Sequence, residues 1–357
     1  MQGCIQKKGK AYYVVLNVGG KRKWFKGGAT KRAAQKVLND KLSEINAGTY
    51  KEIPKTTFKT FSKLWLKTSA EINVKPSTLA RYTDIIERLL EPAFGYYQMS
   101  DISTVQLKTY VVDRLKLVSG RTAVQEISLI KLMFRQALED GYLKINPAVL
   151  LKRPKFDKTE IELLTPEEVD KFLATISGHY RIAFLTAVLT GMRAGELWGL
   201  CWSDIDWNAK QICIKRSLWH GNFQTPKSKR SVRKLDVPAS LISELKKWKL
   251  ACPISESDLV FPDKAGQPTP HDNVVRRHFI PALKKAGLPQ VSFHSLRHTN
   301  ASMRIRGNQN VKYIQSQLGH SSINVTMDVY GHLFDDANFS REQVALLEGS
   351  FKNINQV

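Results

Sequence analysis

The first clear pattern along the chain is strand-like. Ala11 to Val18 is rich in β-branched and aromatic residues, Gly19-Gly20 follows as a hairpin turn, and Lys21 to Lys26 reads as the returning strand, ended by Gly27-Gly28. The period then changes. Thr30 stands where a helix cap belongs, and Ala33, Val37, Leu38, Leu42 and Ile45 recur at helical spacing to about Ala47. The simplest core for residues 1–55 is a three-stranded sheet backed by one helix.

Residues 48–56 read as a linker, and from Thr57 to about Pro147 the pattern is helical. Phe61, Leu64, Trp65 and Leu66 open a first helix, and Pro76-Ser77-Thr78 starts a second through Tyr82, Ile85, Ile86 and Leu89. Val105, Leu107, Tyr110 and Leu115 mark a third. A fourth, over Val124–Leu143, sets Ile127, Ile130, Leu132, Met133, Phe134 and Ala137 near one face. This predicts a small bundle over 57–150. A basic, proline-containing linker follows over 151–158. Thr165-Pro-Glu-Glu168 then has the form of a capping box, with proline at the first turn. It opens a further domain over 160–345, mostly helical, with a short β region at Gln211–Ile214 and Val232–Val237; residues 346–357 form a tail. The expected fold class is mainly α with small β elements (α+β).

Charge changes the picture more than composition does. The chain has 55 Lys and Arg against 32 Asp and Glu, a net +23. Residues 1–55 alone hold 13 basic residues against three acidic ones. Such an excess favours a polyanionic partner, because each phosphate neutralised releases condensed counterions. In the predicted hairpin, bases interleave with Tyr12, Tyr13, Trp24 and Phe25, so Lys21, Arg22, Lys23 and Trp24 are candidate DNA contacts. The same aromatics would also suit a very small core. The longest strongly apolar run, around Ile182–Leu189, is too short to span a bilayer, and the N-terminus lacks the apolar core of a secretory signal. No membrane partner is expected, and the cytoplasm is the expected location. Cys4, Cys201, Cys213 and Cys252 are scattered without a C-x-x-C pair, which argues against a zinc module or a disulfide framework and for buried thiols.

The candidate chemistry lies in the last third, with one outlier upstream. His294 and Arg297, three apart on a predicted helix, can reach a common ligand, and a guanidinium grips phosphate oxygens bidentately. His298 completes an H-x-x-x-H spacing, but the zinc-protease pattern needs Glu where Ser295 stands, so no metal is expected. Arg193 sits at a glycine-flanked turn, His320 follows Gly319, and Tyr330 comes ten residues later. A tyrosine nucleophile, with an ordinary pKa of about 10, would need nearby cations to favour phenolate. Arg193 and Arg297 would supply them. Taken singly, each residue also fits a plainer role: solvated side chain, helix cap or core tyrosine. No phosphate-binding P-loop is present.

The ordered set Thr190-Gly-Met-Arg-Ala-Gly-Glu-Leu197, His294-Ser-Leu-Arg-His-Thr299, Leu318-Gly-His-Ser-Ser322 and Val329-Tyr-Gly-His332 resembles the tyrosine recombinase (phage integrase) family. The resemblance implies that Arg193, His294, Arg297 and His320 bind and activate a scissile phosphate that Tyr330 attacks. It also implies a lysine on a β-hairpin as general acid. In the basic segment from Thr225 to Pro238, Lys227 aligns best and Lys229 competes, with Lys229 and Arg230 as further candidate DNA contacts. Residues 57–147 look like the family's helical core-binding domain, and 1–55 like the arm-binding domain of phage and conjugative-element integrases. The resemblance further implies strand exchange through a 3′-phosphotyrosyl intermediate without metal or cofactor, by a homotetramer on double-stranded DNA with core and arm attachment sites. An excisionase and a host DNA-bending protein are the implied accessory partners, and the nucleoid of a bacterial host the implied setting. The tail stretch Val344, Ala345, Leu346 and Leu347 could pack on a neighbouring protomer or on its own domain. Two alternatives stay open: type IB topoisomerase-like nicking and religation, and a DNA-binding regulator without catalysis.

Overall fold

The computed structural model describes residues 3–48, 50, 52–155, 162–224, 232–331, 344, 345 and 347. The chain divides into two compact units, Met1–Lys158 and Thr159–Val357.

The first unit opens with β1 (Cys4–Lys8), β2 (Ala11–Val18) and β3 (Lys21–Gly28), an antiparallel sheet in that order, followed by α1 (Lys31–Asn46). The β2–β3 turn is possible because Gly19 and Gly20 both take positive φ, 59° and 78°. Thr30 caps α1 by accepting from the Ala33 N–H. Val14, Leu16, Ala34 and Leu38 form the core, with Ile5, Tyr12 and Phe25 packed against it. The aromatics divide between structural and surface roles. Trp24 is 45% exposed, Tyr13 meets it edge-on, and the Lys8 ammonium lies 4.1 Å from the Trp24 ring centre. Lys23 pairs with Glu52.

The helices of this unit are α2 (Phe58–Trp65), α3 (Glu71–Asn73), α4 (Pro76–Ile85), α5 (Glu91–Phe94), α6 (Thr104–Leu117) and α7 (Gly120–Glu139). Single π turns at Leu66–Ala70 and Ile86–Leu90 join α2 to α3 and α4 to α5. Phe58, Phe61, Trp65, Ile86, Phe94, Leu107 and Phe134 are among the buried core. Three expectations need correcting. Leu64, Val105 and Leu115 are exposed. On α6 the inward stripe is Leu107, Tyr110 and Arg114, whose polar ends meet buried Glu126 of α7: Arg114 donates through Nε (2.9 Å) and Nη2 (2.7 Å), and the Tyr110 hydroxyl at 2.9 Å. The fourth helix starts four residues earlier than expected, at Gly120, because Ser119 caps it, and stops at Glu139, before Gly141 at φ 82°. Lys144 reaches Glu44 of α1, an ion pair between bundle and N-terminal helix.

In the second unit, α8 (Pro166–Ala174) begins with the expected capping box: the Glu168 carboxylate accepts from the Thr165 N–H, and the Thr165 hydroxyl from the Glu168 N–H. There follow α9 (His179–Thr190), α10 (Ala194–Trp198), β4 (Ile205–Asp206), β5 (Gln211–Ile214), β6 (Ser217–Trp219), β7 (Asn222–Gln224), β8 (Arg233–Asp236), α11 (Ala239–Ala251), α12 (His271–Val274), α13 (Ile280–Lys285), α14 (Ser295–Arg306), α15 (Val311–Leu318) and α16 (Ile323–Tyr330). The expected β region appears as β5 and β8, paired with Ile212 opposite Leu235; β4 at the sheet edge and the β6–β7 hairpin were not anticipated. Phe172, Phe184, Trp198, Phe261, Phe279 and Phe293 fill the main core. All four cysteines are free, but only Cys201 is buried; Cys4 is exposed, and Cys213 and Cys252 are half-buried, so the expectation of buried thiols holds for one. Lys227, Lys229 and Arg230 lie outside the described residues, as does most of the tail.

Candidate active site

Helix ends build this site. α9 stops at Gly191, whose φ of 65° lets the chain turn sharply; a Cβ there would sit 2.8 Å from both the Asn300 Oδ1 and a Leu318 methyl. Two residues on, Arg193 caps the start of α10. Its backbone N–H donates to Glu196 Oε2 (3.0 Å) and its Nη1 to Oε1 (2.9 Å). Glu196 is only 4% exposed and receives a second guanidinium, Arg233 of β8, through Nη1 (3.1 Å) and Nη2 (2.9 Å). Burial alone would raise the Glu196 pKa. The hydrogen-bonded Arg233, with Arg193 behind it, overrides that and holds it at about 2. Arg233 also donates through Nε to the Gln317 carbonyl at 2.7 Å, and Arg193 through Nη2 to the Gly319 carbonyl at 3.3 Å.

Arg297 lies at the centre, 3% exposed. Its Nη1 donates to the Gly191 carbonyl at 2.8 Å and its Nη2 to the Leu318 carbonyl at 2.7 Å. These carbonyls close α9 and α15, so the negative ends of two helix dipoles face the guanidinium. Burial, then the neighbouring Arg193, brings its pKa down to about 9, and it remains a cation at neutral pH. Three guanidiniums thus converge around one carboxylate, an imbalance suited to an anion such as a phosphodiester.

Three imidazoles complete the cluster. His294 and His298 both project from the first turns of α14, their rings 4.8 Å apart and nearly perpendicular. His294 is an exposed residue, yet desolvation by the surrounding protein, with His298, Arg297 and Arg193 close by, holds it below the ordinary imidazole range. His320 follows Gly319, which caps α15 at φ 66°. Its Nδ1 lies 2.8 Å from the Thr326 hydroxyl, and burial, then Arg297, pulls it to about 3. His298 Nδ1 lies 2.5 Å from the Tyr330 hydroxyl.

Tyr330, at the end of α16, is 2% exposed and packs on Ala301, Ile305, Ile314 and Leu318. Nearby cations were expected to favour its phenolate. The balance goes the other way: burial pushes the phenol up to about 12, and the opposing pull of Arg297 is smaller. At neutral pH Tyr330 keeps its proton.

Residues 162–336 match the Phage integrase family, and residues 57–114 match the N-terminal SAM-like domain of phage integrases. A tyrosine recombinase XerC-like protein of Caldanaerobacter subterraneus subsp. tengcongensis is 28% identical over 368 residues, covering 92% of this chain and 94% of the relative. The chain belongs to the phage integrase family. The ICEBs1 integrase of Bacillus subtilis, at 28% identity over 298 residues, covers 78% of this family member and is itself covered to 79%. Among solved structures, the Tn1549 transposon integrase in complex with transposon right end DNA shares the fold with a TM-score of 0.69 at 22% identity, over 81% of this chain and 100% of that one. A lambda integrase dimer bound to a core site gives 0.62 at 20% identity, over 91% and 93%.

Of the residues singled out in this integrase-family chain, Arg193, His294, Arg297, His320 and Tyr330 come together. Lys21, Arg22, Lys23 and Trp24 lie on β3 in the other unit. Sequence reasoning missed Glu196, Arg233 and His298. Glu196 carried a signal, since Arg193 and Glu196 have the spacing of a helix start with its third residue. Nothing local ties Arg233 to Glu196, and His298 had been weighed only as a metal ligand. Among the described residues, no helix is long and apolar enough to cross a membrane.

Proposed function

We propose that this integrase-family enzyme is a site-specific DNA recombinase that integrates or excises a mobile element through a 3′-phosphotyrosyl intermediate at Tyr330. The observation that carries this reading is the meeting of Arg193, Arg297, His294 and His320 with the Tyr330 phenol, from elements spread over more than a hundred residues of sequence.

In the first step the non-bridging oxygens of a scissile phosphate enter the cluster, where Arg193 and Arg297 neutralise their charge and His294 and His320 add hydrogen bonds. Tyr330 Oη attacks phosphorus, the bond to the 5′ oxygen breaks, and Lys227, with Lys229 as its competitor, delivers a proton to the departing oxygen. In the second step a 5′ hydroxyl from the partner strand attacks the phosphotyrosine and restores the phenol. Bond energy is retained in the covalent intermediate, so neither metal nor nucleotide is required. Removing one such charge-stabilising donor costs about 10²–10³-fold in rate in comparable sites.

The rest of the chain fits this work as three parts. Residues 1–55 bind arm sites through the outer face of the sheet, where Trp24, Arg22 and Lys26 are exposed; 57–150 bind the core site; 160–345 carry the chemistry, with the tail 346–357 beyond. The working assembly is a homotetramer on two duplexes, assisted by an excisionase and a host DNA-bending protein, on the nucleoid in the cytoplasm of a bacterial host. The test is covalent capture on a nicked suicide substrate. Tyr330→Phe should bind DNA nearly as well as the parent protein and form no covalent adduct; continued trapping would overturn the assignment.

A further inference from the structure

The mechanism leaves one proton unaccounted for. Burial pushes the Tyr330 phenol up to about 12, so at pH 7 only roughly one molecule in 10⁵ would hold it as phenolate. The arginines do not remove this barrier. A group that accepts the proton during attack, worth about 10²–10⁴-fold in rate, would.

Among the described residues, one side chain is in hydrogen-bond contact with that hydroxyl. His298 Nδ1 lies 2.5 Å from the Tyr330 Oη, with ring centres 5.6 Å apart at 58°. Its place is set by α14, which presents His298 one residue after Arg297, so the phosphate-holding guanidinium and the imidazole move as one part. The groups facing His298 are His294 and Arg297 from α14, His320 from the turn after α15, and Tyr330 from α16. Among the described residues, no carboxylate is one of them. Burial, with Arg297 adding to it, keeps the ring below the ordinary imidazole range and therefore neutral at pH 7. In the tautomer with its proton on Nε2, the neutral imidazole accepts at Nδ1 from the phenol O–H, and this is the tautomer the inference requires. His320 is occupied otherwise, its Nδ1 being turned to Thr326.

We infer that His298 accepts the phenol proton as Tyr330 attacks the scissile phosphate, and returns it when the phosphotyrosine is resolved. The inference rests on the reading of Tyr330 as nucleophile. In the forward step the Oη–H bond breaks toward Nδ1, the Oη–P bond forms, and the P–O5′ bond breaks with its electron pair on the leaving oxygen. The imidazolium so formed sits beside the negative charge gathering on the phosphoryl oxygens, which offsets its closeness to Arg297. Resolution runs the same path backwards, with imidazolium as the acid.

The experiment is single-turnover cleavage by the full-length protein on a suicide substrate whose scissile 5′ oxygen is replaced by sulfur. The thiolate leaves without a proton, so the lysine general acid drops out of the rate. The parent rate should be flat from pH 7 to 8, where His298 is neutral and Arg297 still a cation. His298→Gln, which keeps a hydrogen-bonding side chain but cannot take the proton, should be about 10²–10⁴-fold slower. Its rate should climb nearly tenfold per pH unit as solution hydroxide makes the phenolate. His298→Ala should recover part of its rate with added imidazole, a response that a purely structural loss would not show. A His298→Gln rate near the parent value, or a slow rate that stays flat with pH, would overturn the inference; so would a His298→Ala defect that imidazole leaves unchanged. Tyr330→Phe run alongside separates the two readings, since cleavage by that variant would defeat the nucleophile assignment itself.

Discussion

Among single residues, Glu196 is the most exposed to loss, because two arginines depend on it. Its carboxylate is bonded by Arg193 and Arg233 and almost wholly out of solvent. Replacing it by Gln would take away the buried carboxylate that Arg233 bonds through two nitrogens, and breaking such a buried pair costs about 3–5 kcal/mol. Arg193 would lose the anchor that aims it. Glu196→Gln should therefore lower both the unfolding midpoint in urea and the cleavage rate. The pH dependence has a definite sign. The folded pKa of about 2 lies below the unfolded value of 4.5, so the stabilisation is full above about pH 5 and disappears as the pH falls toward 2. Stability of the parent protein, followed by urea titration, should drop over that window, and Glu196→Gln should flatten that part of the profile. A parent curve flat from pH 5 to 3 would argue against the ion pair.

At the level of elements, α14 does most to assemble the site, and besides Arg297 a second side chain ties it to α9. Asn300 donates through Nδ2 to the Val188 carbonyl at 2.7 Å and the Leu189 carbonyl at 3.0 Å, and accepts from Arg304 at 2.9 Å. Asn300→Ala would strand these buried groups at a cost of about 1–3 kcal/mol. A lowered melting temperature with slower cleavage, and arm-site binding by residues 1–55 unchanged, is the expected outcome; unchanged cleavage would mean that packing and Arg297 hold α14 without Asn300. Elements were legible where local chemistry forces them. Gly19-Gly20 announces the β2–β3 turn, Thr30 the start of α1, and Thr165 with Glu168 the start of α8. They were less legible where polar residues face inward. The apolar pattern of α6 took in Val105 and Leu115, which face out, as well as Leu107 and Tyr110, which face in; Arg114 goes in too because Glu126 waits on α7. The site divides in the same way. Its motif residues stood out, but the Arg233–Glu196 pair spans 37 positions and the His298–Tyr330 contact 32, and no local period encodes such meetings.

For the whole molecule, the relevant quantity is charge. Of the net +23, residues 1–55 contribute the excess of 13 basic over three acidic residues. Those residues meet the bundle through the Glu44–Lys144 pair, with Lys144 about half exposed. Exposed pairs contribute little, about 0–1 kcal/mol. Deleting residues 1–55 should weaken arm-site binding and reduce the slope of log affinity against log salt, measured by fluorescence anisotropy, while core-site cleavage persists. Loss of core cleavage would instead make that segment part of the catalytic clamp.

Arg297 has an anchorage unlike that of its neighbours. Arg193 and Arg233 lean on a carboxylate, which one codon change can remove. Arg297 leans on the carbonyls of Gly191 and Leu318, which every amino acid carries. Its orientation is thus inherited with the path of the chain rather than with any partner's identity. Sequences can drift around this arginine without releasing it, as long as the two left-handed glycines that turn those helix ends are kept. Over evolutionary time, Gly191 and Gly319 should be as resistant to replacement as the arginine itself.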